Sequence, residues 1–336
     1  MGEAPAVASA DLITPADIER ARERIVGRLR ITALEPSPSL SELVGAPVHL
    51  KLEQQQKTGS FKLRGATNAV LSLTEAEKTR GVVGVSTGNH GRGLARAARE
   101  AEVRCIVCMS QLVPRNKVEG IEGEGAEVRI VGRSQDEAEE EVQRLVQQGL
   151  ILLPPFDHPD VIAGQGTLGL EILDQLPEAE TLVVPLSGGG LISGIAAAAK
   201  ARKPGVHVVG VTMERGAAMH RSQNAGKPVA VEELPTLADS LGGGIGLDNR
   251  YTFAMVRDLV DEIVLVSEAE IAGAVRHAYC EERQIVEGAG AVTIAALLAG
   301  RIARPGATVA LLSGGNIDMA LHRRIVGGED VDVTQD

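Results

Sequence analysis

Aromatic residues are nearly missing from this chain: its 336 residues include no Trp, three Phe and two Tyr. With 44% of residues hydrophobic, the core must be aliphatic. Cysteine is as scarce, at three. Cys105 and Cys108 share the apolar run Val103–Met109, which reads as a buried strand, where residues three apart face opposite ways. They are expected to be core cysteines, not a redox pair or metal site, and Cys280 has no sequence partner. No disulfide framework is indicated. No apolar run reaches membrane-spanning length, and Met1–Ala10, with Glu3 and no apolar stretch, does not read as a secretory signal. A cytoplasmic location is expected. The basic stripe needed to hold a phosphate backbone is absent too, the formal net charge being -11. Nucleic acid and membrane are therefore disfavoured as partners, and small polar or zwitterionic substrates remain.

The length suits one large domain or two modest ones. Thr14-Pro15 opens a helix expected to run to about Leu29, and Pro36–Pro38 breaks the chain before a short helix around Leu40–Val44. Thr74 with Glu77, Ser134 with Glu137, and Ser267 with Glu270 have capping-box spacing. Strands are expected at Val48–Leu52, Gly81–Ser86, Val103–Met109, Glu127–Val131, Leu150–Leu153, Thr181–Leu186, His207–Thr212, Glu262–Val266 and Thr308–Leu312. They are almost continuously apolar and alternate with helical patterns, the mark of a doubly wound α/β architecture with parallel strands covered on both faces. Pro154–Pro159 marks a division. Residues 81–157 would form a small lobe inserted into a larger one made of residues 1–80 and 158–336.

Ligands of open α/β sheets sit beyond the carboxyl ends of strands, and three such ends carry Gly, Ser and Asn. Ser86-Thr87-Gly88-Asn89-His90-Gly91 suits a carboxylate or ring oxygen, with His90 either a general base or structural. Ser187-Gly188-Gly189-Gly190-Leu191 lets the backbone approach a dianionic phosphate at a helix start. It is not a dinucleotide fingerprint, having Ser193 in place of the third Gly, nor a phosphate loop ending in Lys-Ser/Thr. Ser313-Gly314-Gly315-Asn316 is the third. A fourth stretch, Ser60-Phe61-Lys62, places a lysine in a first helical turn, with Ser60 as the expected N-cap. The helix dipole there should lower the Lys62 pKa, favouring a Schiff-base-forming amine. One ligand uses a lysine, a phosphate cradle and polar turns together: pyridoxal phosphate.

With Glu287-Gly288-Ala289-Gly290, these stretches resemble the fold-type II pyridoxal-phosphate enzymes of the serine/threonine dehydratase and serine racemase family over nearly the full length. More loosely, the chain is similar to hydroxyectoine-utilisation dehydratases. The resemblance implies a tryptophan-synthase-β-like fold with two doubly wound parallel-sheet lobes, a homodimer, and roles by position. Lys62 would bind the cofactor and shuttle the Cα proton, with Phe61 against the ring and Asn89 on the ring hydroxyl. Ser187, Gly188, Gly189, Gly190 and Leu191 would hold the phosphate, and Ser313 the pyridine nitrogen. Glu287 and Gly314 would complete the cofactor site. Ser86, Thr87, Gly88 and His90 would face the substrate carboxylate.

Two departures from the family pattern stand out. Metal-binding members have acidic residues where this chain aligns Thr212 and Ala218, with Gly216 between them, so no metal is expected. The chain also ends at Asp336 without a regulatory C-terminal domain, so allosteric isoleucine control is not expected. The reaction implied is β-elimination from a small β-hydroxy amino acid such as threonine or serine, giving a 2-keto acid and ammonia. Rivals are an amino-acid racemase, a dehydratase of a hydroxyectoine-derived or β-hydroxyaspartate-like substrate, a dinucleotide-binding protein without pyridoxal phosphate, and a non-catalytic carrier. Gly242-Gly243-Gly244 is read as a mobile loop near the pocket that would admit a larger hydroxy amino acid.

Overall fold

The computed structural model describes residues 13–86, 88–111, 113, 115–132, 135–331 and 333. Its strands are β1 (Leu34–Pro36), β2 (Val48–Leu52), β3 (Val82–Val85), β4 (Cys105–Met109), β5 (Glu127–Ile130), β6 (Ile151–Leu152), β7 (Thr181–Pro185), β8 (His207–Met213), β9 (Glu262–Val266) and β10 (Thr308–Leu312). The first seven helices are α1 (Pro15–Ile25), α2 (Pro38–Val44), α3 (Lys62–Ser72), α4 (Glu75–Arg80), α5 (Asn89–Glu100), α6 (Arg115–Glu122) and α7 (Gln135–Gln147). They continue with α8 (Pro159–Gln175), α9 (Gly190–Arg202), α10 (Ala218–Ala225), α11 (Thr252–Leu259), α12 (Glu268–Cys280), α13 (Gly288–Leu298) and α14 (Met319–Val326). Six strands form one sheet in the order β1-β2-β10-β7-β8-β9, parallel except for the antiparallel edge strand β1. A second sheet, β5-β4-β3-β6, is parallel throughout, and all its strands fall within residues 82–152.

Alternation along the strands sends side chains into two cores per sheet. Val183, Val209, Val211, Ala310 and Leu312 pack on one face of the large sheet, and Leu182, Val184, Val208, Val309 and Leu311 on the other. In the small sheet Val82, Cys105 and Val107 face one core, while Val83, Ile106 and Cys108 face the other. The two cysteines therefore point opposite ways, and burial pushes their thiols up to about 12 and about 11. This is the α/β, two-lobed arrangement that the apolar runs imply. Among the described residues no helix is long and apolar enough to cross a membrane.

Local differences from the sequence reading have simple causes. Helix α1 stops at Ile25, not near Leu29, because Gly27 takes a φ of +75° that an α-helix cannot continue through. Strand β1 has no signature in the sequence: three residues are too few to show a period, and Pro36 is tolerated because β1 is an edge strand. The boxes at Thr74/Glu77 and Ser267/Glu270 form, whereas Ser134 lies outside the described residues.

A buried charge network fixes α3 to the sheet. Lys51 on β2 is wholly buried, and its Nζ donates to Glu171 Oε1 at 2.6 Å, Gln175 Oε1 at 2.7 Å and the Thr32 carbonyl at 2.7 Å. Arg64, one turn into α3, donates from Nε and Nη2 to both oxygens of Glu53, each at 2.8 Å, and from Nη2 to Glu171 Oε2 at 2.9 Å. Thr32 Oγ1 adds a bond to Glu53 at 2.6 Å. Two cations and two anions balance, which is what allows such a group to be buried. Glu53→Ala would leave Arg64 and Lys51 sharing one carboxylate, and is expected to cost roughly 3–5 kcal/mol. Denaturant midpoints of the two chains check this. A loss under about 1 kcal/mol, the value of a surface pair, would show that the network does not secure α3.

Candidate active site

The carboxyl ends of β3, β7 and β10 open toward the start of α3. Phe61, not Ser60, is the N-cap of α3: its backbone is already helical and no side chain caps the turn. Instead Ser60 makes an isolated bridge to Gly314, and the Phe61 amide donates to the Ser313 carbonyl at 3.0 Å. The Ser60 hydroxyl, freed from capping, is buried with no hydrogen-bond partner among the described residues. Lys62 Nζ donates to the Pro155 carbonyl at 2.9 Å and lies 5.3 Å from the centroid of the Phe61 ring. Burial pulls its pKa down to about 8, against the opposing pull of Glu287. The depression expected from helix position is therefore present, but its leading cause is desolvation.

A chain of amides and a carboxyl links the β10 turn to α5 and α13. Asn89 Nδ2 donates to Glu287 Oε1 at 2.6 Å, and Asn89 Oδ1 accepts from Asn316 Nδ2 at 2.7 Å. Asn316 Nδ2 also donates to the Thr58 carbonyl at 2.9 Å, while Arg92 Nη1 donates to Asn316 Oδ1 at 3.1 Å. Gly314 is required here, because a Cβ on it would stand 2.5 Å from Glu287 Oε1 and 3.2 Å from Asn89 Nδ2. Burial, reinforced by the Asp239 carboxylate, pushes Glu287 up to about 7. Asp239 itself is paired with Lys117 of α6 at 2.6 Å. Asp239 lies in a 3-10 turn just before Gly242-Gly243-Gly244, and a shallow cavity of about 340 Å³ beside that turn is lined by Glu233, Thr236, Asp239 and Gly242. That cavity is not lined by Lys62.

The glycine run after β7 leads into α9 with no side-chain cap. Gly189, at a φ of +89° that other residues rarely adopt, turns the chain into α9, whose first-turn amides receive no side-chain cap from it. Ser187 precedes this turn, Gly190 and Leu191 begin the helix, and a Cβ at Gly188 would strike the Phe156 ring. On the β3 side, Ser86 Oγ accepts from the amides of Gly88 at 3.2 Å and Gly91 at 2.9 Å, capping α5. Its hydroxyl hydrogen stays available to a ligand. His90 is 4% exposed, and its Nε2 donates to the Leu153 carbonyl at 2.9 Å. Burial and the nearby Lys62 hold it down to about 3, too low for a general base at neutral pH. Thr87 lies outside the described residues.

Pyridoxal phosphate can be tested against these groups. An uncapped helix start walled by glycine suits its phosphate, the weakly basic buried lysine suits its aldehyde, and the buried Ser60 hydroxyl, two residues before that lysine, has no partner among the described residues. The residues fit. Sequence reasoning placed Asn316 in a ligand-facing turn without giving it a role, and missed Arg92, Pro155, Phe156 and the Lys51–Arg64 network. The charged Lys51 inside an apolar strand was the one signal that pointed to the network.

Comparison with known proteins gives the class. The family model of pyridoxal-phosphate dependent enzymes matches residues 26–314. The chain is 58% identical over 313 residues to a protein of Sinorhizobium fredii that carries a provisional threonine dehydratase name, covering 93% of this chain and 94% of that one. It is 40% identical over 318 residues to the catabolic L-threonine dehydratase of Escherichia coli, covering 94% and 96%. Among solved structures, maize serine racemase superposes with a TM-score of 0.87 at 33% identity, covering 92% of this chain and 95% of that one. The chain therefore belongs to the fold-type II pyridoxal-phosphate dependent enzymes, within the threonine dehydratase and serine racemase family.

Glu287 sets a pH dependence of stability. Its folded pKa of about 7 lies above the ordinary value of 4.5, so between those pH values the folded chain binds more protons than the unfolded one. Stability then falls as pH rises through that window, and the penalty is absent below it. Relative to Glu287→Gln, the wild-type chain should lose about 3 kcal/mol between pH 4.5 and 7.5. Denaturant midpoints of both cofactor-free chains across that range check this, and parallel pH curves would refute it.

Proposed function

We propose that this protein is a threonine ammonia-lyase: a small β-hydroxy amino acid loses water in the elimination and takes one water back in the hydrolysis that frees ammonia, leaving a 2-keto acid. What supports the reading is a buried, weakly basic Lys62 amine on the same corner as the uncapped glycine-walled start of α9, in a chain of this family. Pyridoxal phosphate, when bound, supplies the electron sink for the pair left at Cα. Lys62 carries the cofactor and moves the Cα proton, and the β-hydroxyl leaves as water. Phe61 packs on the ring, Asn89 Nδ2 keeps one hydrogen for the ring hydroxyl, and Ser313 meets the pyridine nitrogen. Glu287 and Gly314 close that end of the site.

The backbone of Ser187, Gly188, Gly189, Gly190 and Leu191 takes the phosphate, and Ser86, Thr87 and Gly88 take the substrate carboxylate. His90, tied to Leu153, shapes this wall and stays neutral. Residues 81–157 form the inserted lobe, residues 1–80 and 158–336 the larger one, and the working form is a cytoplasmic homodimer. Within the family, the hydroxyectoine-utilisation branch is the finer assignment, and keto acid release from hydroxyectoine-derived and β-hydroxyaspartate-like amino acids tests it. No divalent metal takes part: Thr212 sits on β8 with its hydroxyl toward Met213 Sδ, and Ala218 begins α10. Activity is therefore expected to survive chelation, and a loss restored by Mg²⁺ would overturn this.

The test of the main reading is Lys62→Ala, expected to lose the cofactor's visible absorbance and all turnover while keeping wild-type circular dichroism. Borohydride should fix the cofactor to Lys62 in the wild type. The likeness to maize serine racemase favours one second reading, inversion at Cα through the Thr87 hydroxyl. Chiral analysis of residual substrate decides it. Elimination is expected to outrun inversion, and Thr87→Ala to lower inversion far more than keto acid formation.

A further inference from the structure

The segment Pro154-Pro155-Phe156-Asp157-His158 joins β6 to α8 and touches the site three times. Neither Pro154 nor Pro155 has an amide hydrogen, so this strap cannot extend the sheet ladder, and its φ angles are stiffened. Three contacts tie it down instead. The Leu153 amide donates to the Val83 carbonyl at 3.0 Å, and His158 caps α8 through Nδ1 on the Asp160 amide at 3.2 Å. Between these ends, Asp157 takes three backbone amides: Arg250 on Oδ2 at 2.6 Å, and Tyr251 and Thr252 on Oδ1, each at 2.9 Å. Those amides begin α11, whose own N-cap side chain makes no capping bond.

The corner this builds is tight. A Cβ on Gly189 would lie 2.9 Å from Met219, 3.0 Å from Thr252 and 3.1 Å from Val256, so the start of α11 rests on the glycine loop. Phe156 rests on the same loop from the other side, with its Cα 2.9 Å from where a Gly190 Cβ would stand. The Pro155 carbonyl, next to Phe156 in the chain, is the acceptor for Lys62 Nζ at 2.9 Å.

We propose that Asp157 is a positioning residue for the Lys62 amine: by tethering the strap to α11 it holds the Pro155 carbonyl where it accepts the hydrogen bond of the free ammonium. The contact exists only when the amine is free, which is the state in which Lys62 carries a proton. A carbonyl facing the ammonium favours the charged form and orients its hydrogens. Glu287 acts in the same direction, while His90, neutral and turned to Leu153, adds no charge. This inference rests on the assignment of Lys62 as the cofactor lysine.

The experiment reads the Lys62 amine directly. The full-length chain is stripped of cofactor, and acylation of Lys62 by an amine reagent is followed against pH by peptide mass spectrometry. Half-maximal reactivity near pH 8 is expected in the wild type. Asp157→Ala should move it down by about one unit, the value of a lost hydrogen bond to a charged group. Asp157→Asn keeps one acceptor oxygen for the Tyr251 and Thr252 amides but loses the acceptor for Arg250, and should fall between the wild-type and alanine profiles. A folded Asp157→Ala chain with an unmoved profile, or an Asp157→Asn chain displaced as far as alanine, overturns the proposal. If the alanine variant does not fold, Asp157→Ser decides, since serine caps but cannot reach all three amides: a downward displacement supports the tether and an unmoved profile overturns it. Borohydride labelling of the wild-type holoenzyme separates the two readings. Cofactor found on another lysine defeats the role of Lys62 but leaves the acylation profile as a test of the strap.

Discussion

Everything at the site depends on burying four charges under it. Lys51, Glu53, Arg64 and Glu171 come from β2, the segment after it, α3 and α8, and none can be buried alone. Burial lowers the Lys51 pKa against the pull of Glu171, while Glu53 and Arg64 hold each other charged despite theirs. Arg64 follows Lys62 by two residues on the same helix, so fixing the guanidinium fixes the rotation of the first turn and with it the direction of the lysine. A hydrophobic contact would tolerate sliding. The bidentate pairing of Arg64 with Glu53 does not.

The same preference for directional contacts appears on the ligand side. No Lys or Arg lies in the Ser187–Leu191 run, so in the proposed site a dianionic phosphate meets backbone amides at a helix start. That arrangement demands close approach, and the glycines provide it at a cost in backbone freedom that the surrounding contacts offset. Phe156 and α11 pack against the two sides of the loop, which keeps Gly189 in its left-handed conformation. Glycine here does not mean mobility. It means that neighbouring backbone and side chains occupy the space a Cβ would need.

How much of this the sequence makes legible follows from how local each signal is. The longer strands and the opposed cysteines are written in apolar runs and in a period of two, and they appear where expected. Capping boxes need three residues, and Thr74/Glu77 and Ser267/Glu270 form as spaced. The N-cap of α3 was misjudged because Ser60 is recruited by Gly314, some two hundred and fifty residues away in the chain, and that pairing leaves no local trace. The Pro155 carbonyl and the Asp157 tether are invisible for a similar reason. A backbone acceptor has no residue signature, and an aspartate that caps a helix 95 residues later looks like any other loop acid.

One physical cause unites the titratable groups around Lys62. Lys62, Glu287 and His90 are all shifted first by desolvation, which weakens the charged form of each: the lysine down to about 8, the carboxyl up to about 7, the histidine down to about 3. At neutral pH the lysine and the carboxyl then stand close to their midpoints, so a proton can move to or from either at little cost, while the histidine stays fixed as a neutral donor to Leu153. The shift at Glu287 is strengthened by Asp239, whose partner Lys117 belongs to α6 beside the small sheet. Separating that pair would unmask the Asp239 charge and raise Glu287 further. The proton affinity at the site is thus tied to how α6 meets the Asp239 turn, and the coupling runs through the Lys117–Asp239 ion pair.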